Sequence, residues 1–313
     1  MAQVNSTFNV VNNTIVDNPV STTMGALILS IVFLLGFPGN LFIIWSILAR
    51  AKRQSVTTLI ILNLAIADGS LMGLSPFFIA YLISKDWPFG EAMCKILFYL
   101  CLLNMYASIH LIMVMSVYRM LAVLWPQWTA RISGRKTVMK VLAVVWVLVM
   151  IASIPAIIFR KVWKKSNGNK VVGLNISPTP QVVIQYMLEL IFGFLIPYTV
   201  IVFCYIRILR RIRQTRFGRR IRSENLILAI VLTFCLFWLP YHIVNMVLDK
   251  IWQSSRVVTS SIAFISSCAN PVLYFFVGKS YIRQEGLAFM ARLFEGTGLD
   301  LVSRKSRSVI LRL

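Results

Sequence analysis

Arg135-Lys136-Thr137-Val138-Met139-Lys140-Val141-Leu142-Ala143-Val144-Val145-Trp146-Val147-Leu148-Val149-Met150-Ile151-Ala152-Ser153-Ile154-Pro155-Ala156-Ile157-Ile158-Phe159-Arg160 is the stretch whose reading decides the fold. From Val141 to Phe159 it holds no charged side chain, and cations stand at both ends. A helix needs about 20 mostly apolar residues to cross the hydrocarbon of a bilayer. Residues 136–159 therefore read as a membrane span. Working outward, six more stretches qualify: 24–49, 56–83, 92–124, 182–209, 224–250 and 257–277. These runs are continuous rather than alternating, which excludes the strands of a membrane barrel. The composition agrees. Hydrophobic residues make up 58% of the chain and charged ones 13%, against roughly 45–50% and 25% for a soluble domain.

The chain carries 32 Lys and Arg against ten Asp and Glu, a net charge of +22. Such a charge binds nucleic acid when it forms one face of a soluble domain. Here the cations lie between apolar blocks, so no nucleic-acid partner is expected. Their distribution gives an orientation instead, because short cytoplasmic loops collect Lys and Arg. With the amino terminus outside, 23 of the 32 face the cytoplasm, including all eight arginines from Arg207 to Arg222. The expected organisation is an all-α, seven-transmembrane helix bundle in the plasma membrane. Residues 1–23 form an extracellular tail, 24–277 the membrane domain, 278–295 a short amphipathic helix on the cytoplasmic surface, and 296–313 a basic cytoplasmic tail. The opening residues lack the basic and apolar regions of a cleavable signal. Asn5, Asn12 and Asn175 fit the glycosylation pattern on segments placed outside.

Ionisable groups inside a span are expensive and mark function by default. Asp68 sits in the middle of the second span, with no Lys or Arg close by in sequence. Asn40, Ser108, Ser266, Ser267 and Asn270 lie at comparable depth in other spans. An aspartate among hydroxyls and amides offers the oxygen ligands that a hard cation takes. A sodium ion held by Asp68, Ser108, Ser266, Ser267 and Asn270 is one reading, and no other cofactor is expected. An uncharged aspartic acid within a hydrogen-bond network is the other. Pro38, Pro76, Pro155, Pro197, Pro240 and Pro271 interrupt six of the seven spans. Each removes a backbone hydrogen bond and permits a kink.

Gly39-Asn40, Leu64-Ala65-Ile66-Ala67-Asp68, Trp146, Pro197 with Tyr205, Phe237-Trp238-Leu239-Pro240 and Asn270-Pro271-Val272-Leu273-Tyr274 occur in this order across the seven spans. In this the chain resembles the rhodopsin-class G-protein-coupled receptors. Within that class it is most similar to the leukotriene B4 receptors of the chemoattractant branch. The likeness rests on Asn104-Met105-Tyr106-Ala107-Ser108, Ile191-Phe192-Gly193-Phe194-Leu195-Ile196-Pro197, Tyr241-His242-Ile243-Val244-Asn245 and Leu293-Phe294-Glu295-Gly296-Thr297-Gly298. The resemblance implies a membrane receptor that binds an extracellular ligand and activates a heterotrimeric G protein of the inhibitory class. Arg119, Tyr118, Tyr205 and Tyr274 would face that G protein, and arrestin and membrane lipids are further implied partners.

The chain departs from the family pattern twice. An acidic residue usually precedes the arginine that ends span three; here Tyr118 precedes Arg119. The position on span six that could hold Arg119 is near Arg220, which is also basic. The resemblance therefore implies a weakened restraint on the inactive state, unless Tyr118 finds a loop group to bond. The family also joins the top of span three to the second outer loop by a disulfide. Residues 160–181 contain no cysteine, so Cys94 is expected to be free. Cys101 is no substitute, because the Cα atoms of a bridge must lie within about 7 Å.

Receptors of this class hold ligand between the outer halves of the helices. The residues expected there are Arg160, Arg256, Glu189, Tyr106, Phe98, Tyr241, His242, Asn245 and, deeper, Trp238. Guanidinium binds carboxylate bidentately. Two arginines around an apolar funnel thus favour an anionic lipid, of the kind a leukotriene B4-like eicosanoid represents, with Glu189 or Tyr106 taking a hydroxyl. Arginines snorkelling to the headgroups are the alternative. Phe98 stands where the leukotriene receptors are expected to carry histidine. The basic run Arg160-Lys161-Val162-Trp163-Lys164-Lys165 would steer anions to the mouth. It would also suit a peptide chemoattractant. A non-signalling scavenger and a transporter remain as alternatives of a different kind. No catalytic motif is present, so an enzyme is not expected.

Overall fold

The computed structural model describes residues 16–50, 55–165, 167–173, 180–214, 221–246 and 255–285. Among the described residues, helical segments stand at each of the seven expected spans. Span one is Pro19–Arg50, span two Val56–Ser84 and span three Gly90–Leu124. Span four is Arg135–Ala152 continued by Ile154–Phe159. Span five runs Pro180–Leu190, Ile191–Leu195 and Ile196–Gln214. Span six is Ile221–Met246 and span seven Arg256–Glu285. Among the described residues, five of these are long and apolar enough to cross a membrane by length and composition. Span six contributes the shorter apolar helix Val231–Met246. Span seven carries more polar groups, among them Thr259, Ser260, Ser261, Ser266, Ser267 and Asn270.

The molecule is apolar outside and polar within. Leu27, Ile31, Leu34 and Leu35 of span one and Val144, Leu148 and Ile151 of span four are exposed. Asn40, Asp68, Asn104, Ser108, Ser266, Ser267 and Asn270 are buried. A water-soluble fold does not expose so much contiguous hydrocarbon. A bilayer permits it and demands that polar groups find partners inside. Span three is the central strut, packed against spans two, four, five and six. Span one packs on two and seven, and seven on six. Trp146 Nε1 donates to Asn63 Oδ1 at 2.9 Å, tying span four to span two.

Prolines shape two of the helices. Span four breaks at Ser153, two residues before Pro155. In span five the turn Ile191–Leu195 widens to π geometry just before Pro197. Proline clashes with the carbonyl four residues back, here that of Gly193, and a π-bulge absorbs the misfit. Gly193 also lets span five press on span three. A Cβ there would stand 2.9 Å from Met105 Cε and 3.0 Å from Tyr106 Cε1. Span seven continues unbroken past residue 277 to Glu285. Residues 286–295, the rest of the expected surface helix, lie outside the described residues, as do Asn5, Asn12, Asn175, Arg220 and the tail.

The loop between spans four and five is held without a disulfide. Cys94 is a free, buried thiol. Lys161–Lys164 and Lys170–Gly173 form an antiparallel hairpin, pairing Val162 with Val172 and Trp163 with Val171. The Trp87 backbone N–H donates to Lys170 O at 2.9 Å. The Lys170 N–H donates to Asp86 Oδ1 at 2.6 Å, and the Val172 N–H to the Tyr81 hydroxyl oxygen at 3.2 Å. Lys165 pairs with Asp17 at the foot of span one. Val171 and Val172 share one buried cluster with Cys94, Leu97, Tyr81 and Trp87. Hydrogen bonds, an ion pair and apolar contact thus stand where relatives of the expected class would place a covalent bond.

Candidate ligand site and polar core

At the end of the bundle that carries the hairpin, a polar cluster forms from spans four, five, six and seven. Glu189 on span five is 1% exposed. Gln185, one turn earlier on the same face, donates to its Oε1 at 2.8 Å. Tyr241 of span six donates its hydroxyl to Oε2 at 2.9 Å. Arg160 and Arg256 are near enough for their charges to act on Glu189 and on Tyr186. Arg256 Nη1 donates to the Tyr186 hydroxyl at 3.5 Å, and its guanidinium carbon lies 5.4 Å from the Tyr186 ring centre. Arg160 sits with its guanidinium carbon 4.1 Å above the Phe98 ring. A cation over an aromatic face gains roughly 0.5–2 kcal/mol, more as water is excluded. Both guanidinium groups thus face aromatic rings of neighbouring helices.

Several polar atoms of this cluster have no hydrogen-bond partner among the described residues. They are Arg160 Nε, Arg256 Nε, Gln185 Oε1, His242 Nε2 and Asn245 Nδ2. A buried donor or acceptor left alone costs about 1–3 kcal/mol. Gln185 is the one of these that touches Glu189, while His242 and Asn245 follow Tyr241 on span six. His242 packs among aromatic rings, 5.2 Å from Phe194 and 5.3 Å from Tyr241, centre to centre. Tyr106 meets Phe192 edge to face at 5.3 Å.

Trp238 forms the floor. It stacks on Phe234 at 5.5 Å and meets Tyr241 edge to face at 5.5 Å. Its Nε1 donates to Ser266 Oγ at 2.9 Å. Ser266 in turn donates to Ala263 O at 2.7 Å. Its hydroxyl is thus committed to Trp238 and its own helix, not to Asp68.

Below Trp238 lies the second polar group. Asp68 is fully buried. Its Oδ1 accepts from Ser108 Oγ at 3.1 Å and from Asn104 Nδ2 at 3.3 Å, and its Oδ2 accepts from Asn270 Nδ2 at 2.8 Å. Ser267 also bonds this carboxylate. Asn40 reaches the same place by donating to Ser267 O at 3.2 Å. Asn104 and Ser108 stand four residues apart, which places both on the face of span three that meets Asp68. Ser108, Asn104 and Asn270 each donate to the carboxylate, which is the hydrogen-bonded network expected as one reading; the hydroxyl and amide oxygens of the same side chains are of the type that a hard cation takes.

At the opposite end of the bundle, the Tyr118 hydroxyl lies 3.3 Å from Ser133 Oγ. Ser133 closes the helix Pro126–Ile132 of the second inner loop. Tyr118 has therefore found a loop group. Tyr205 packs, half-buried, against the main apolar core. Tyr274 lies in span seven, at a position whose side chain falls outside the described ones.

Sequence reading located the arginines, Glu189, Tyr241, Trp238 and Asp68 individually, and the fold brings them into two groups. It missed Gln185, Tyr186 and Asn104. Gln185 and Asn104 each stand four residues from a partner that was singled out, and that spacing was the available signal.

Comparison with known proteins gives a consistent result. Residues 39–274 match the family model described as 7 transmembrane receptor (rhodopsin family). Human leukotriene B4 receptor 1 is 35% identical over 297 residues, covering 90% of this chain and 84% of the relative. Rat leukotriene B4 receptor 2 is 34% identical over 323 residues, covering 96% and 89%. A C3a anaphylatoxin chemotactic receptor of Oncorhynchus mykiss is 34% identical over 292 residues, covering 88% and 79%.

Proposed function

Because the chain belongs to the rhodopsin family of seven-transmembrane receptors, we propose that it is a plasma-membrane receptor for an anionic, hydroxylated lipid of the leukotriene B4 type. Its amino terminus faces outward, and agonist binding activates a heterotrimeric G protein of the inhibitory class. The observation that carries the ligand class is the outer cluster. Arg160 lies over Phe98 and Arg256 reaches Tyr186, in the same part of the bundle as a buried glutamate held by Gln185 and Tyr241. A carboxylate would engage Arg160 or Arg256, and a mid-chain hydroxyl would engage Glu189, Tyr106 or the free Nε2 of His242. The hydrocarbon would lie along Phe98, Phe192 and Trp238. Pressure on Trp238 would reach both the proline kink at Pro240 and, through Ser266, the neighbourhood of Asp68 and Asn270.

The similarity to an anaphylatoxin chemotactic receptor favours one second reading, a peptide chemoattractant, and the lysines of the hairpin would suit an acidic one. The affinity of a fatty-acid agonist relative to its methyl ester separates the two, measured in wild type, Arg160→Ala and Arg256→Ala. Removing one partner of a desolvated charge pair costs about 2–5 kcal/mol in binding. The acid should therefore lose its advantage over the ester in at least one variant. A ratio unchanged in both would place the carboxylate elsewhere. Agonist-driven nucleotide exchange distinguishes a signalling receptor from a scavenger.

A further inference from the structure

We propose that the hairpin between spans four and five carries a binding surface for a sulfated polysaccharide, with Lys161, Lys164 and Lys170 as the cations that meet its sulfate groups. The inference rests on the orientation proposed above, which puts the hairpin outside the cell, and not on the identity of the agonist.

Residues 160–173 contain five cations and no Asp or Glu. Short basic runs of that kind form heparin-type patches when they stand on a surface. The fold sorts the five. Arg160 turns to the Phe98 ring. Lys165 pairs with Asp17, and its side chain is only 10% exposed. Lys161, Lys164 and Lys170 are exposed, and none of them has an ion pair among the described residues. The acids of the segments placed outside are Asp17, Asp86, Glu91 and Asp249. Asp17 is taken by Lys165 and Glu91 by Lys95. Asp86 Oδ1 accepts the backbone N–H of Lys170 at 2.6 Å, and Asp249 lies outside the described residues.

The strand register sets Lys164 directly opposite Lys170. Like charges facing each other across a strand pair repel, and an anion between them removes that repulsion. Successive strand side chains alternate faces, so Lys161 projects from the other side of the ribbon, and a flexible polyanion reaches both. The frame is fixed before anything binds. Lys165 N–H donates to Asn169 O at 2.8 Å and Gly168 N–H to Lys165 O at 3.0 Å, closing the turn, while Trp87 N–H holds Lys170 O at 2.9 Å. Preorganised groups lose less freedom on binding. The chemistry of the partner follows from what the surface lacks. Val171 and Val172 are buried, Val162 and Trp163 pack half-buried against the same cluster, and no described hairpin residue is an exposed large hydrophobic. A bilayer surface is held by apolar side chains that enter it, and a bound peptide strand draws specificity from side-chain pockets. This ribbon offers charge alone. Its exposed cations are all lysines, point charges without the fork that selects carboxylates, which suits the repeated sulfates of a polysaccharide in many registers.

The test uses the full chain on intact cells that make no sulfated polysaccharide of their own, with fluorescent heparin as the probe. Heparin does not cross the membrane, so the cations of the opposite side stay out of reach. Wild type should bind it. Changing Lys161, Lys164 and Lys170 together to Gln, at equal surface density, should weaken binding by roughly tenfold or more at physiological salt. The slope of log affinity against log salt should fall by roughly one for each lysine removed. Changing the same three to Arg should keep binding. Lys165→Gln should weaken it far less than Lys164→Gln, because the Lys165 ammonium already has Asp17. Equal binding by wild type and the glutamine variant would overturn the proposal, and so would equal losses in Lys164→Gln and Lys165→Gln. Polyglutamate or phosphatidylserine vesicles bound as tightly as heparin, with the same lysine dependence, would assign the surface to an acidic peptide or a lipid headgroup instead. Lysine-dependent capture seen only after permeabilisation would overturn the orientation along with the proposal. Agonist-driven nucleotide exchange in the same cells judges the receptor reading separately. A chain that binds heparin through these lysines but answers no agonist would refute that reading and leave this surface standing.

Discussion

Tyr241→Phe removes a single oxygen from the outer cluster and leaves the ring. In the structure that oxygen donates to Glu189 Oε2 at 2.9 Å, in a site where Glu189 is 1% exposed. Oε1 keeps its donor, Gln185. The variant therefore strands one acceptor where water is scarce. Leaving such a group unmatched costs about 1–3 kcal/mol, a factor of roughly 5 to 150 in the folded-to-unfolded ratio. Glu189→Gln should cost less, because the amide can still accept from Tyr241 through its oxygen. Combining Tyr241→Phe with Glu189→Leu should cost clearly less than the sum of the single changes, since neither polar partner is then left alone. The assay needs no ligand. Cys94, Cys204 and Cys268 are buried free thiols, so a thiol-reactive fluorophore follows thermal unfolding of the detergent-solubilised protein. Additive losses in the double variant, or a Tyr241→Phe protein as stable as wild type, would refute the claim that this pair is satisfied inside the bundle.

Three further outcomes are expected. Sodium should weaken agonist binding relative to a bulky organic cation, and Asp68→Asn should abolish the difference; an equal sodium effect in both proteins would remove Asp68 from the mechanism. Agonist-free nucleotide exchange should be lower in Tyr118→Asp than in wild type, because an acid before Arg119 restores a contact of the inactive state; equal exchange would count against that restraint. Asp86→Ala with Tyr81→Phe removes two hydrogen-bond acceptors from the outer hairpin. At about 1 kcal/mol for each net hydrogen bond, Cys94 should react with a membrane-impermeant thiol reagent roughly tenfold faster or more, and unchanged reactivity would show that apolar packing alone holds the loop.

The seven spans were legible because their signal is one-dimensional. A run of apolar residues between cations means the same thing whatever packs beside it. The helix starts of spans two, three and seven fall within two residues of expectation, and the break in span four at Ser153 follows from Pro155. The outer hairpin was not legible. Its strands are four residues each, too short for alternation to register, and half of what holds it lies in the turn at Asp86-Trp87. Gln185, Tyr186 and Asn104 were missed for a related reason. A neutral polar residue in a span carries no anomaly of its own until its neighbour on the next helix is known.

Ser266 and Ser267 show where a sequence pattern stops. They are adjacent, both buried and chemically identical, and depth alone assigns both to the Asp68 group. In the helix, neighbouring residues point about 100° apart. Ser267 consequently bonds Asp68, while Ser266 receives the Trp238 indole N–H. That division joins the two sites through one turn of span seven. Trp238 touches Tyr241, which holds Glu189. Any ligand that displaces the Trp238 ring must lengthen or break the bond to Ser266, and the same backbone carries Ser267 and Asn270 on the carboxylate below. This geometry makes coupling between the two sites measurable. Ser266→Ala frees the indole without touching any Asp68 donor. If the Trp238–Ser266 bond transmits, that variant should keep sodium's own affinity and lose sodium's effect on agonist binding, a separation that Ser267→Ala, which alters the cation's ligands, should not produce. Full sodium sensitivity of agonist binding in Ser266→Ala would show that the signal travels by another route.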